Sequence, residues 1–373
     1  MTSKGNNSFH FAFILDQQVG LRTQAMNLKR VVDEDATVCP YWIPVNYSAD
    51  AGLLTRLPGV PSSIKGTLRG IREIRDGFVE APQLCAVLWA TWAAKSVLDL
   101  VSATPSFLVM DMTPVQMEEM GAFYGYTRNR ARFLGNWKRQ ATMRLYEKAT
   151  HLFPWNEWVA ESLRNDYGVP PEKITPISPG VDVDLFRPNP GVKPNDGVVR
   201  LLFVGGDFQR KGGDFLLRWA KENQPSEGRW ELHLVTRDDV PDKIPGVFVH
   251  HGITNNSPEL VRLYQQSDVF VLPTRADCYS LVALEAMACG VPVIISRLGG
   301  IPHIIEEGKS GYLIDVDDYH CLSERLSSLV ATSDIRQQMG AVARQVAYER
   351  FDCRTGVSRI LDRMKQAAKQ GNP

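Results

Sequence analysis

Two successive series of apolar strands alternating with helix-period segments, parted by a Pro- and Gly-rich stretch, predict an α/β protein of two doubly wound domains. The length of 373 residues agrees, being about two ordinary domains. Hydrophobic residues make up 44% of the chain and charged residues 23%, which implies a sizeable core and excludes wholesale disorder. The expected boundaries are 1–185 and 186–373.

Composition narrows the partners. Lys+Arg and Asp+Glu number 42 each over the chain and 19 each up to Leu185, so neither half is a polycation. Nucleic acid is therefore not expected as the main partner. The six cysteines, at 39, 85, 278, 289, 321 and 353, show neither a C-x-x-C pair nor metal-ligand spacing and read as free thiols of a reducing compartment. The first eight residues are polar, and the longest apolar run, Leu84 to Ala94, is too short for a membrane span. The chain reads as cytoplasmic.

In the first half, Phe9–Leu15 is a nearly continuous apolar run, as in a parallel strand buried on both faces. It leads through a turn containing Gly20 into a helix from about Arg22 to Val32. Gly20 would let a ligand approach the backbone, although a lone turn glycine serves equally as a turn. No G-x-G-x-x-G is present. Val38–Val45 reads as an edge strand because of Pro40 and Pro44, Leu84–Trp89 as another strand, and Ser63–Phe78 as a helix with Lys65, Arg69, Arg72 and Arg75 on one face. That face is either solvated or a peripheral contact for acidic membrane lipid or an anionic acceptor. Phe107–Met110 ends in Asp111, an acid where open sheets bind ligands; Asp-x-Thr-Pro is also a turn and cap sequence. Arg128–Lys148 mixes seven basic residues with aromatics and reads as an exposed helix. Ala149–Phe153, a helix over Glu157–Tyr167 and a last strand at Ile174–Ile177 close this half.

The second half opens with a strand at Arg200–Val204 and the exit loop Gly205-Gly206-Asp207-Phe208-Gln209-Arg210-Lys211-Gly212-Gly213. Glycines expose backbone N–H groups, and Arg210 and Lys211 add charge beside a helix start, which suits a diphosphate seat, although a flexible glycine turn with solvated cations reads the same; the acid-bearing loop at 273–285 favours the seat, and the P-loop order is missing. Further strands are expected at Trp230–Thr236, Val247–His250 and Val269–Leu272. A polar turn with Asp277 follows, then a short helix from Ser280 to Cys289 carrying Glu285, stopped by Gly290 and Pro292. Helices at Tyr319–Ala331, Asp334–Tyr348 and beyond Phe351 close the chain. Two carboxylates flanking a phosphate-favouring helix start suit a nucleotide sugar.

These motifs resemble those of the retaining glycosyltransferases of family 4. The family pattern is an acid, seven residues, a glutamate, then Ala-Met-Ala-x-Gly-x-Pro-Val, a spacer and Gly-Gly. Here it reads Asp277, seven residues, Glu285-Ala286-Met287-Ala288-Cys289-Gly290-Val291-Pro292-Val293, with Gly299-Gly300 in place. Pro179-Gly180-Val181-Asp182 and Gly311-Tyr312-Leu313 agree as well. The match covers the C-terminal half in motif and the N-terminal half mainly in architecture. It implies the GT-B fold, two Rossmann-like domains facing across a cleft, and transfer of a hexosyl unit from a UDP- or GDP-linked sugar to a carbohydrate, small-molecule or lipid-linked acceptor.

The resemblance also implies roles. Glu285 would hold the ribose hydroxyl pair, and Asp277 the donor sugar, aided by backbone N–H groups of Cys278, Tyr279, Ser280 and Leu281. Lys211 with Arg210, over Gly205 and Gly206, would neutralise the leaving diphosphate, so that neither a metal nor a cofactor is expected. Four positions depart from the pattern. Asp277 stands for the usual Glu, Gly206 for a frequent Arg, His303 for a Glu, and Asp111 for the His of many members. Other readings of the same residues are a sugar-nucleotide epimerase or phosphorylase on this fold and a scaffold that binds without turnover.

Overall fold

The structure is a computed structural model, which describes residues 8–17, 21–49, 61–124, 132–223, 230–240 and 243–370. The chain divides into two compact units, one of Met1–Glu119, Thr127–Pro179 and Arg354–Pro373, the other of Met120–Tyr126 and Gly180–Cys353.

The first unit runs β1 (Phe9–Asp16), α1 (Arg22–Glu34), β2 (Val38–Val45), α2 (Ser62–Glu80), β3 (Ala86–Ala90), α3 (Leu98–Ala103), β4 (Ser106–Met110), α4 (Pro114–Glu119), α5 (Arg132–Lys148), β5 (His151–Pro154) and α6 (Glu157–Asn165). Its sheet is parallel, in the order β2-β1-β3-β4-β5. Residues 11–16 of β1 and all of β3 are buried, as expected for interior strands packed on both faces. β2 lies at the edge, where the missing N–H groups of Pro40 and Pro44 break no ladder. Ile14, Ile43, Ile74, Val87, Trp89, Leu108 and Leu152 form the core beneath one face. α6 begins where the Asn156 side chain accepts from the Val159 N–H at 3.1 Å.

The strand expected at Ile174–Ile177 is not one. The segment runs beside β5, with a single bridge from Leu152 to Ile174, and its Thr175 and Ile177 N–H groups donate to Leu152 and Pro154. The next rung would need Pro154 to donate in return, and proline has no N–H.

The second unit runs β6 (Val199–Val204), α7 (Gly213–Glu222), β7 (Trp230–Val235), β8 (Val247–His250), α8 (Pro258–Gln266), β9 (Val269–Leu272), α9 (Leu281–Ala288), β10 (Val293–Ser296), β11 (Gly311–Ile314), α10 (Tyr319–Ala331) and α11 (Ser333–Arg350). Its sheet is also parallel, in the order β11-β10-β9-β6-β7-β8. Ser257 and Ser280 cap α8 and α9 through the N–H groups of Leu260 and Ala283. The last helix, α12 (Cys353–Gln370), returns to the first unit, where Lys365 pairs with Asp35 at 2.6 Å. All six cysteines are free thiols. Among the described residues no helix is long and apolar enough to cross a membrane. On α2, Arg72 and Arg75 are paired with Asp76 and Asp99.

One contact shapes the carboxyl edge of the first sheet. Glu73 on α2 accepts from four successive backbone N–H groups, those of Asn46, Tyr47, Ser48 and Ala49, at 2.7–2.9 Å. Burial works to raise the Glu73 carboxyl, and the four donors outweigh it, so the group sits below its ordinary value. A carboxyl depressed by folding contributes stability above its unfolded value and loses it as pH falls through the folded one. Glu73→Gln is therefore expected to cost about 2 kcal/mol at pH 7. The difference from wild type should shrink in acid, and denaturant unfolding at several pH values measures both.

Candidate active site

In the second unit β6 and β9 are neighbours at the point where the winding of the sheet reverses. Open α/β sheets leave a crevice there, beyond the carboxyl ends of the strands. The two exit loops at this point are 205–213 after β6 and 273–280 after β9, which are the two segments singled out in the sequence.

The loops are locked together. Lys211 Nζ lies 2.6 Å from Asp277 Oδ2, with the side chains only 14% and 9% exposed. Arg210 donates through Nε to Asp207 at 3.0 Å and through Nη1 to the Ala276 carbonyl at 2.7 Å. Arg275 returns the link: its N–H donates to the Arg210 carbonyl, and its guanidinium grips Asp214 at 2.7 and 2.8 Å and the Gln209 carbonyl at 2.6 Å. Two glycines make this approach feasible. Gly212 has φ +78°, and a Cβ there would stand 2.0 Å from the Pro273 carbonyl oxygen. Gly299 has φ +54°, and a Cβ there would stand 2.8 Å from the Asp277 carbonyl oxygen, while the Gly300 N–H donates to Cys278. Gly205 extends the pairing of β6, its N–H donating to the Val235 carbonyl at 2.9 Å. Cys278, Tyr279 and Ser280 are buried, and Leu281 opens α9.

Glu285 lies one turn further along α9, only 2% exposed. Its Oε2 accepts from the Tyr264 hydroxyl of α8 at 2.8 Å. Burial pushes its carboxyl up to about 7, with the Tyr264 hydrogen bond opposing the rise.

The first unit has its own set of side chains at the carboxyl edge. Asp111 follows β4 and lines a pocket together with Gln24, Thr91, Trp92 and Lys95. Burial, and then the like charge of Lys138, hold the Lys95 ammonium below its ordinary value. Beside the pocket, the Tyr47 hydroxyl donates to Asp16 at 2.6 Å and lies 3.2 Å from the Thr91 hydroxyl. Gly20 falls outside the described residues. Among the described residues no cluster of His, Cys, Asp and Glu could hold a metal ion.

Residues 199–332 match the family described as Glycosyl transferases group 1. The second unit carries a glycosyl transferases group 1 domain. A curated relative, the D-inositol 3-phosphate glycosyltransferase of Thermobifida fusca (strain YX), is 32% identical over 209 residues, which are 49% of this chain and 47% of the relative. The chain thus spans about half the length of such curated relatives. Sucrose-phosphate synthase from Thermosynechococcus elongatus has the same fold at a TM-score of 0.75 and 16% identity, over 97% of this chain and 100% of that one. Anabaena Alr3699/HepE, solved in complex with UDP and glucose, has a TM-score of 0.67 at 13% identity, over 95% and 99% of the two chains. Likeness at these identities concerns the fold, which is that of the GT-B glycosyltransferases.

All the residues named from the sequence in the two exit loops and in α9 lie inside the matched residues, and Asp111 and Gly20 lie outside them. Two residues of the domain were not foreseen. Tyr264 reads in sequence as an ordinary apolar position of α8, and only its hydroxyl on Glu285 sets it apart. Arg237 follows β7 without any motif around it, yet its guanidinium lies against Gly206.

Two tests address this geometry. Lys211→Met leaves Asp277 buried without its cation and is expected to cost about 3 kcal/mol, whereas adding Asp277→Leu should restore much of the loss. Denaturant unfolding of the full chain reads both. Because Glu285 holds its proton up to about 7 when folded and 4.5 is its ordinary value, stability should fall as pH rises between those values and then level off. Glu285→Gln is expected to melt above wild type at pH 8 and close to it at pH 4.

Proposed function

We propose that the protein is a retaining, family 4 glycosyltransferase that moves a hexosyl unit from a UDP- or GDP-linked sugar to a glycan, small-molecule or lipid-linked acceptor. The observation that carries this reading is the Lys211–Asp277 pair, a cation and an acid brought to one point by the exit loops of the two switch-point strands. A nucleotide-diphosphate sugar offers both partners at once, anionic phosphates for the lysine and hydroxyls for the carboxylate. The relatives support a sugar-transfer reading by name, and the fold is shared with a protein solved with UDP and glucose.

Lys211 and Arg210 would stabilise the charge that develops on the leaving diphosphate, so the loop's own cations supply what a divalent metal otherwise would. Asp277 would orient the transferred sugar. Retention would follow from attack on the face of the departing phosphate, which itself takes the acceptor proton, so no second opposed carboxylate is required. Glu285 would receive the ribose hydroxyls in place of the Tyr264 hydroxyl that now occupies it. The acceptor would sit at the first unit's pocket, where Asp111 offers a carboxylate to a hydroxyl.

A scaffold that binds nucleotide sugars without turnover is the second reading. It is favoured by the shorter Asp277, whose carboxylate is already neutralised by Lys211. Incubation with a panel of UDP- and GDP-sugars, with and without candidate acceptors, separates the two by nucleotide release. Turnover is expected. Asp277→Asn should lower turnover at least tenfold with little change in nucleotide affinity, and Glu285→Ala should mainly weaken nucleotide binding. Binding of neither class of nucleotide sugar would remove the proposal, and binding without release under any acceptor would favour the scaffold.

A further inference from the structure

The cations picked out in the donor loop are already occupied within the protein. Lys211 is bound to Asp277, and Arg210 to Asp207 and the Ala276 carbonyl. Arg237 is different. It stands just past the carboxyl end of β7, the neighbour of β6, and it is exposed. Among the described residues it makes no hydrogen bond or ion pair.

Its guanidinium occupies the place of a missing side chain. A Cβ on Gly206 would stand 2.8 Å from Arg237 Nε and 2.9 Å from Nη2. The φ of Gly206 is not positive, so its backbone does not itself require glycine. What a side chain at 206 would meet is Arg237. The next residue, Asp238, accepts from the Phe208 N–H at 2.7 Å and thereby ties the exit loop of β7 to that of β6. Arg237 thus lies across the backbone of Gly206 in the glycine loop, and among the described residues its donors are unspent.

We infer that Arg237 is the residue that receives the diphosphate of the nucleotide ligand, over the backbone of Gly205 and Gly206. The inference rests on the reading of this loop as the donor site. A guanidinium presents a planar fork of N–H donors that matches two phosphate oxygens, and it is less strongly hydrated than an ammonium. Arg237 can engage them without giving up an internal partner, whereas Lys211 must share or leave Asp277. Arg237 therefore contributes affinity for the diphosphate beyond what Lys211 supplies, since Lys211 reaches the phosphates only in competition with Asp277.

The test is calorimetric titration of the full chain with UDP, UMP, GDP and GMP. For whichever base binds wild type, Arg237→Ala should weaken the diphosphate about ten- to a hundredfold, the loss of one charge-assisted contact, and the monophosphate much less. Arg237→Lys should fall between. Arg237→Ala combined with Gly206→Arg should recover most of the loss, because the new side chain enters the space that Arg237 vacates. Unchanged thermal melting of each variant would confirm that folding is intact, as expected for an exposed side chain without internal bonds. A change below twofold for the diphosphate in Arg237→Ala, or equal losses for diphosphate and monophosphate, would overturn the role of Arg237 while leaving the proposed function in place. If wild type binds neither diphosphate, the donor-site reading falls and this inference with it.

Discussion

The nearly buried ion pair between Lys211 and Asp277 is the contact on which the arrangement of the second unit's loops depends. Bringing two charges out of water is costly, and their attraction repays the cost only when the remaining polar atoms are also satisfied. Here a fixed frame of other polar contacts surrounds the pair. Arg210, Arg275, Asp207 and Asp214 bind one another and the carbonyls of both loops, so the backbone around the pair has little freedom to relax. Gly212 and Gly299 permit the close approach by having no Cβ to obstruct it. Within the pair the two charges cancel. On the proposed function, a diphosphate would compete for the lysine and so free the carboxylate for a sugar hydroxyl, which couples recognition of the two halves of the donor.

Glu285 follows a different logic. It sits in a helix whose residues from Ala283 to Ala288 are all buried, so its charge lacks the compensation that Lys211 gives Asp277. The Tyr264 hydroxyl supplies one hydrogen bond, which is not enough to keep the carboxyl at its ordinary value. An acid retained at such a position lowers the stability of the unit at neutral pH. That cost is understandable where the carboxylate serves a ligand, because a ligand that donates two hydroxyls would satisfy it more fully than one tyrosine does.

Most of the fold was legible in the sequence because parallel strands buried on both faces announce themselves as apolar runs, and glycines and prolines punctuate them. The edge position of β2 could be read from Pro40 and Pro44. The segment at Ile174–Ile177 was misread because its apolar pattern carries no information about the missing N–H of Pro154 across the rung. The two exit loops were legible as motifs, but the pairing of Lys211 with Asp277 joins residues whose separation in sequence implies nothing about distance. It appears only when the strand order makes β6 and β9 neighbours. Arg237 was invisible for the same reason: it belongs to the site through adjacency of β7 to β6 and has no motif of its own.

The first unit shows where strain is stored. Tyr47 is a non-glycine residue with φ +57°, a conformation that costs of the order of 1–3 kcal/mol and persists only when its surroundings enforce it. Two residues of α2, one turn apart, do so. Glu73 gathers the N–H groups of the segment from Asn46 to Ala49, and Gly70 leaves room for the Tyr47 ring, which a Cβ would meet at 2.8 Å. The outcome is a hydroxyl placed on the buried Asp16 and beside Thr91, at the exits of β1 and β3. In the order β2-β1-β3-β4-β5 the winding reverses between those two strands, so this unit also gathers its polar chemistry at its switch point. On the proposed function, a helix that spends a carboxylate and a glycine on holding one strained tyrosine there would make Asp16 and Thr91 a place from which an acceptor hydroxyl is oriented.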